Sequence, residues 1–252
     1  MAWFDQEDAH IFYEDSGNGE SVLLLPGWGG TIDELVPLRE ALTPRFRVIA
    51  ADLPGSGKSG PQPRTYTPGY HERDARALLA MLDAIGASPA HLVGFSDGGE
   101  YALLMAAVRP DAVRSVVAWG AAGSLGNNRE LAGAMSTIID DPIPPMHEYS
   151  EYMKAAYGEA NARIMAQSLA STLLAIMDAG GDLSRSRAAE ISAPALLIAG
   201  ENDPMASPAL VSDMAQAMQN ADFVEAMGAG HAIHHEQSEW LTETVVGWLS
   251  KR

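Results

Sequence analysis

The sequence predicts an α/β protein: a mostly parallel sheet with helices on both faces, carrying one helical insertion. Three observations support this. Short, continuous apolar runs at residues 21–25, 46–51, 113–119 and 195–199 each stop at proline, glycine or aspartate, as strands covered on both faces do. Amphipathic helical segments alternate with these runs, the pattern of a parallel sheet with crossover helices. The alternation lapses over residues 121–191, where three helix-like pieces occur and no convincing strand.

Taken in order, residues 10–15 alternate loosely and lead into Ser16-Gly17-Asn18-Gly19, a turn between two extended segments. The run at 21–25 ends at Pro26-Gly27. Residues 33–42 place Leu35, Leu38 and Leu42 on one helical face, and the strand at 46–51 ends at Asp52. A long amphipathic helix is expected over 70–85, with Ala75, Leu78, Leu79 and Leu82 on one side and Gly86 as its stop. Residues 92–95 form a strand before a helix over 98–108, closed by Arg109-Pro110. Strands follow at 113–119, 195–199 and, more weakly, 223–226, and a helix over 236–249 uses Trp240, Leu241, Val245 and Trp248. The core is thus expected to span 1–120 and 192–252. Helices at 129–139, 148–157 and 160–179 form a cap over one edge of the active face, in the insertion 121–191.

Composition narrows the function. The 252 residues carry a formal charge of −17, and lysine occurs only at Lys58, Lys154 and Lys251. Such a balance opposes nucleic acid and anionic membranes, both polyanions. Cysteine is absent, which excludes disulfides, thiolate metal sites and a cysteine nucleophile. No apolar run approaches the ~18 residues of a membrane span, and the acidic segment Met1-Ala2-Trp3-Phe4-Asp5-Gln6-Glu7-Asp8 lacks the form of a leader. A cytoplasmic location is expected.

Gly94-Phe95-Ser96-Asp97-Gly98 stands between a strand and a helix. That is the pattern of a turn so tight that its flanking positions must be small, which lifts the serine off the strand end. Serine needs a base, itself oriented by an acid. Both are expected after Ser96, each following a late strand. Asp203 follows the strand at 195–199, with Glu201 as the competing acid. His231 follows the last strand, with His234 and His235 as rivals. A metal site on His231, His234 and His235 lacks a third ligand cluster. The backbone amides of Asp97 and Trp28 are the expected oxyanion donors, with Gly29 as the alternative to Trp28 in the loop Pro26-Gly27-Trp28-Gly29-Gly30. Gly57-Lys58-Ser59 suggests a phosphate loop, but Asp52 stands where that motif needs glycine, and Pro61 and Pro63 oppose the helix that should follow.

Together these features resemble the α/β-hydrolase superfamily over nearly the whole chain. Asp52-x-x-Gly55-x-Gly57-x-Ser59 is similar to its post-strand loop, residues 196–204 to its acid-bearing segment, and Gly230-His231 to its histidine loop. Ser96 points away from the members that use a carboxylate nucleophile. Pro26-Gly27 departs from the His-Gly of many members. Within the superfamily the chain most resembles the biphenyl-hydrolase-like group that includes valacyclovir hydrolase. That closer likeness rests on Leu24-Leu25-Pro26-Gly27, Glu72-Arg73-Asp74-Ala75, Gly94-Phe95-Ser96-Asp97-Gly98-Gly99 and Val117-Ala118-Trp119-Gly120-Ala121.

The resemblance implies a serine hydrolase of small carboxylic esters, with no cofactor and no metal. In the closer group an acid just after the nucleophile receives the α-ammonium of amino-acid esters, and the matching position is Asp97. A carboxylate ~5 Å from a developing oxyanion costs roughly 3 kcal/mol at an effective dielectric of ~20, which a substrate ammonium would cancel. Asp97 could otherwise serve the N-terminus of its helix. A generic short-acyl esterase, a C–C bond hydrolase and a catalytically silent binding protein of the same fold are the competing readings. The methionines of the insertion, Met135, Met146, Met153, Met165 and Met177, are candidate pocket lining or ordinary helix core.

Overall fold

In the computed structural model, which describes residues 1–6 and 9–252, the apolar runs become strands of a single sheet. Glu7 and Asp8 of the acidic N-terminal segment lie outside the described residues. The strands are β1 (Ala2–Gln6), β2 (Ala9–Ser16), β3 (Ser21–Leu25), β4 (Arg47–Ala51), β5 (Ala90–Phe95), β6 (Val113–Trp119), β7 (Ala195–Gly200) and β8 (Ala221–Ala226). Their spatial order is β1-β2-β4-β3-β5-β6-β7-β8. Every pair from β4 to β8 is parallel, while β1 and β2 join antiparallel at the β4 edge.

The period-2 pleat sends alternate residues of each central strand into two separate cores. Leu23 and Leu25 of β3 enter one, and Val22 and Leu24 enter the other. In β7 the same split divides Leu197 and Ala199 from Leu196 and Ile198. Helices α1 (Val36–Leu42), α8 (Ile233–Glu236) and α9 (Ser238–Leu249) cover one face. The other is covered by α2 (Tyr70–Ala84), α3 (Asp97–Val108) and α7 (Pro208–Ala217). Between β6 and β7 lie α4 (Arg129–Ala134), α5 (His147–Tyr157) and α6 (Glu159–Asp178).

Several elements differ from expectation. β1 pairs with β2 although residues 2–6 read as an acidic terminus, and α7 forms where no helix is predicted. The helix expected at 33–42 opens as a 3₁₀ turn, Ile32–Leu35, capped by Thr31. The one expected at 129–139 shortens to α4 and continues as 3₁₀. The C-terminal helix breaks at Gln237. Among the described residues, no helix is long and apolar enough to cross a membrane.

One buried carboxylate gathers the ends of the insertion. Glu100, in the first turn of α3, accepts the amides of Ala122 (2.9 Å) and Gly123 (2.7 Å) and the hydroxyl of Ser184 (2.9 Å). Burial pushes its carboxyl pKa up, against His71 and these hydrogen bonds.

Beneath α2 and α3 runs a second buried network. Arg64 pairs with Asp74 at 2.5 Å and donates to the Pro54 carbonyl, and the Tyr101 hydroxyl donates to Asp74 at 2.9 Å. Burial raises the Asp74 carboxyl, opposed by the Arg64 charge and the Tyr101 hydrogen bond. Asp74→Ala would strand a buried guanidinium, a loss of about 3–5 kcal/mol. For a chain of this length that lowers Tm by roughly 10 °C, whereas the double change Arg64→Met/Asp74→Leu is expected to recover most of it. Thermal unfolding followed by circular dichroism checks both, and a single-variant shift below about 3 °C contradicts the assignment.

Candidate active site

β5 ends at Phe95, and Ser96 takes φ +51° and ψ −117°, the one non-glycine residue with positive φ among those described. Such a conformation costs about 1–3 kcal/mol and persists because its surroundings over-determine it. The Ser96 amide donates to the Trp119 carbonyl (2.8 Å), and its own carbonyl starts α3 by accepting from Glu100 (2.9 Å). Gly94 and Gly98 are required by contact. A Cβ at Gly94 would lie 2.3 Å from the Gly98 carbonyl oxygen, and one at Gly98 would lie 2.4 Å from that of Pro26.

The loops after β7 and β8 bring the partners. His231 Nε2 lies 3.1 Å from Ser96 Oγ, and its Nδ1 lies 2.8 Å from Asp203 Oδ2. Gly120, at φ +64°, ends β6 and makes room for the imidazole, since a Cβ there would lie 2.8 Å from His231 Cε1. Asp203 is 4% exposed and its other oxygen accepts the amides of Met205 (2.8 Å) and Ala206 (3.0 Å). Burial pushes the Asp203 carboxyl up, but the His231 hydrogen bond and charge and the two amides outweigh it, leaving its pKa below the ordinary value. An ionised Asp203 places the proton on Nδ1 and leaves Nε2 free to accept from Ser96.

The rival residues go elsewhere. Glu201 accepts the Gly228 amide at 2.7 Å. His234 is buried beside Phe95 and accepts the Trp119 indole N–H at Nδ1 (3.3 Å). Glu34, His234 and His235 do bring ligand atoms within 4.8 Å of one another. Because the Trp119 indole is a donor only, however, the His234 proton sits on Nε2, the nitrogen that faces Glu34 and would have to bind a metal.

The loop between β3 and α1 runs alongside Ser96. A Cβ on Gly27 would touch the Phe95 ring at 2.8 Å and lie 3.4 Å from Ser96 Cβ. Among the described residues, neither the Trp28 nor the Asp97 amide has a protein acceptor. Asp97 projects from the first turn of α3, and one oxygen accepts the Tyr70 hydroxyl at 3.0 Å, while the other lies 3.6 Å from His71 Nε2. Asp52, the residue that breaks the phosphate-loop pattern, is buried and accepts the amides of Ile32 and Lys58 (both 2.8 Å). No helix follows that loop until α2.

Sequence reasoning did not single out Tyr70, His71, Glu34 or the α5 tyrosines. A signal existed for His71 and Asp74: they share the α2 face of Ala75 and Leu78, where polar side chains are out of place. No such signal marks Glu34, whose carboxylate accepts the Gly27 amide (3.2 Å). Of the five flagged methionines, Met135, Met153 and Met165 are buried, while Met146 and Met177 are partly exposed.

Comparison with known proteins agrees with this architecture. The serine hydrolase BPHL of Mus musculus is 30% identical over 208 residues, covering 78% of this chain and 68% of that protein. The pimeloyl-(acyl-carrier protein) methyl ester esterase of Chromobacterium violaceum is 28% identical, covering 90% of this chain and 94% of its own length. The solved enol-lactonase of Burkholderia xenovorans LB400 shares the fold with a TM-score of 0.78 at 23% identity, covering 99% of this chain and 100% of that one. The profile of the Alpha/beta hydrolase family matches residues 22–244. With its mostly parallel sheet flanked by helices and a match spanning most of its length, the chain belongs to the alpha/beta hydrolase family and is related to BPHL.

Proposed function

We propose that this hydrolase cleaves small carboxylic esters through an acyl-enzyme on Ser96, with α-amino-acid esters as the favoured substrates. The observation that carries the reading is the continuous hydrogen-bonded chain Ser96–His231–Asp203 at 3.1 and 2.8 Å. His231 takes the Ser96 proton as Oγ attacks the ester carbonyl, and Asp203 stabilises the imidazolium. The amides of Trp28 and Asp97 hold the oxyanion. His231 then returns the proton to the leaving alcohol and activates the water that releases the acid. Residues 121–191 act as a cap over this site. That the relatives include an esterase and a protein named a serine hydrolase supports the reading.

Asp97 carries the substrate preference. Among the described residues no lysine or arginine pairs with it, so a carboxylate beside the oxyanion lacks a permanent counter-charge that a substrate ammonium would supply. The experiment is a hydrolysis panel on wild type and Asp97→Ala, using an amino-acid ester and its des-amino analogue. The variant is expected to lose roughly 30- to 100-fold more kcat/KM on the amino ester than on the analogue, or about 2–3 kcal/mol of transition-state binding. Equal losses remove the ammonium role. They would favour an esterase indifferent to the amino group, a second reading supported by the Tyr70 and His71 contacts that already occupy part of Asp97.

A further inference from the structure

We propose that Tyr149 and Tyr157 of α5 are positioning residues for the oxyanion loop, so that the donor geometry at Trp28 forms only while the helical insertion is seated on the core. This rests on the serine-hydrolase reading above, in which the Trp28 amide meets the oxyanion.

α5 lies directly on that loop. The Tyr149 hydroxyl donates to the Trp28 carbonyl at 2.5 Å. The Tyr157 hydroxyl donates to the Gly29 carbonyl at 2.8 Å while accepting the Gly57 amide at 2.8 Å, so one phenol ties three segments together. Tyr152 adds a longer contact to the Gly29 carbonyl, 3.1 Å. Gly29 has φ +69°, and a Cβ there would lie 2.6 Å from Met153 Sδ and 2.7 Å from Tyr149 Oη. The seat therefore requires glycine twice, for its backbone conformation and for the approach of α5.

From the core side, Glu34 accepts the Gly27 amide at 3.2 Å, and the Gly30 amide closes the turn onto the Gly27 carbonyl at 3.1 Å. The Trp28 indole donates to Tyr66 Oη (2.8 Å), and the Tyr66 amide in turn donates to Ser168 Oγ on α6 (2.7 Å). The Gly27–Trp28 peptide, which carries the donor, is thus bracketed. Its preceding amide is held by the core, and its following carbonyls are held by the insertion.

Rotating that peptide would turn a carbonyl toward the oxyanion in place of an N–H. The tyrosine hydroxyls oppose the rotation by pinning the next two carbonyls toward α5. Burial, with lesser contributions from neighbouring tyrosines and Glu34, keeps the Tyr149 phenol well above its ordinary range, so it stays a donor. Tyr157 is shifted the same way by burial, against its Gly57 hydrogen bond.

The test is steady-state hydrolysis of p-nitrophenyl acetate by wild type, Tyr149→Phe and Tyr149→Phe/Tyr157→Phe. It is run beside inhibition by phenylboronic acid, whose adduct mimics the tetrahedral oxyanion. Relative to the 10²–10³-fold cost of deleting a donor, misplacing one is expected to lower kcat roughly 5- to 20-fold in the single variant and 30- to 100-fold in the double. KM should stay within about threefold, and the boronate Ki should rise by the same factor as kcat falls. A merely structural role would move Tm without this split, so the single variant, which keeps the Tyr157 bridge, guards against misfolding. Unchanged kcat and Ki in variants of an active wild type overturn the proposal and leave the hydrolase reading standing. A wild type that neither hydrolyses the ester nor reacts with a fluorophosphonate overturns both.

Discussion

Ser96→Ala is expected to lower turnover of a chromogenic short-chain ester by roughly 10⁴-fold or more, leaving only the residual rate that binding and the oxyanion donors supply. The magnitude follows from the covalent step, because among the described residues no other side chain at this strand end combines a nucleophilic oxygen with a base at 3.1 Å. Folding should be unaffected. Serine and alanine carry the same Cβ, so the strain at φ +51° is the same in both, and the amide and carbonyl of residue 96 keep their bonds to Trp119 and Glu100. A fall in activity with an unchanged Tm is therefore the expected signature. Turnover within tenfold of wild type would place the chemistry elsewhere.

The second large effect is expected from Asp203→Asn, about 10⁴-fold in kcat. An amide there donates toward His231 Nδ1, which forces the imidazole proton onto Nε2, and a protonated Nε2 cannot accept from Ser96. Position 203 should stay in place, because its other oxygen still receives the amides of Met205 and Ala206. The variant also carries a pH signature. The folded Asp203 carboxyl lies below its unfolded value of about 3.9, so its ionised form stabilises the fold above that pH and loses the contribution as pH falls through the folded value. Wild type should accordingly be more stable than Asp203→Asn at neutral pH. The gap should close only below about pH 3.9, as read from denaturant titrations across that range.

Much of this was legible from residue order. The apolar runs that ended at Pro26, Asp52, Ser96, Gly120 and Gly200 identified the strand ends, and the reactive residues of a parallel sheet gather at such ends. Ser96, Asp203 and His231 could therefore be assigned by which strand each follows, and the structure brings the three together over 135 residues of chain. Trp28 and Asp97 likewise stand at the ends of β3 and β5.

What was not legible depends on contacts between segments that are far apart in sequence. β1 carries Trp3 and Phe4 side by side among polar residues and pairs with β2 alone among the described strands, so its period is too weak to identify it. α7 shows Ser207 before Pro208, a helix-start signal, but the run it opens is only ten residues long. Asp74 shares the apolar face of α2, yet nothing local to Arg64 says that the two side chains pair. Tyr149, Met153 and Tyr157 share one α5 face, yet nothing in residues 147–157 says that this face meets the carbonyls of Trp28 and Gly29.

The central claim is that Ser96 is a nucleophile activated by His231. It is tested most directly by exposing the protein to a fluorophosphonate and measuring intact mass, followed by peptide mapping. The account predicts one phosphonyl adduct per chain, carried on Ser96, which is abolished by Ser96→Ala and strongly slowed by Asp203→Asn. An unmodified wild type, or an adduct that persists in Ser96→Ala, would contradict it.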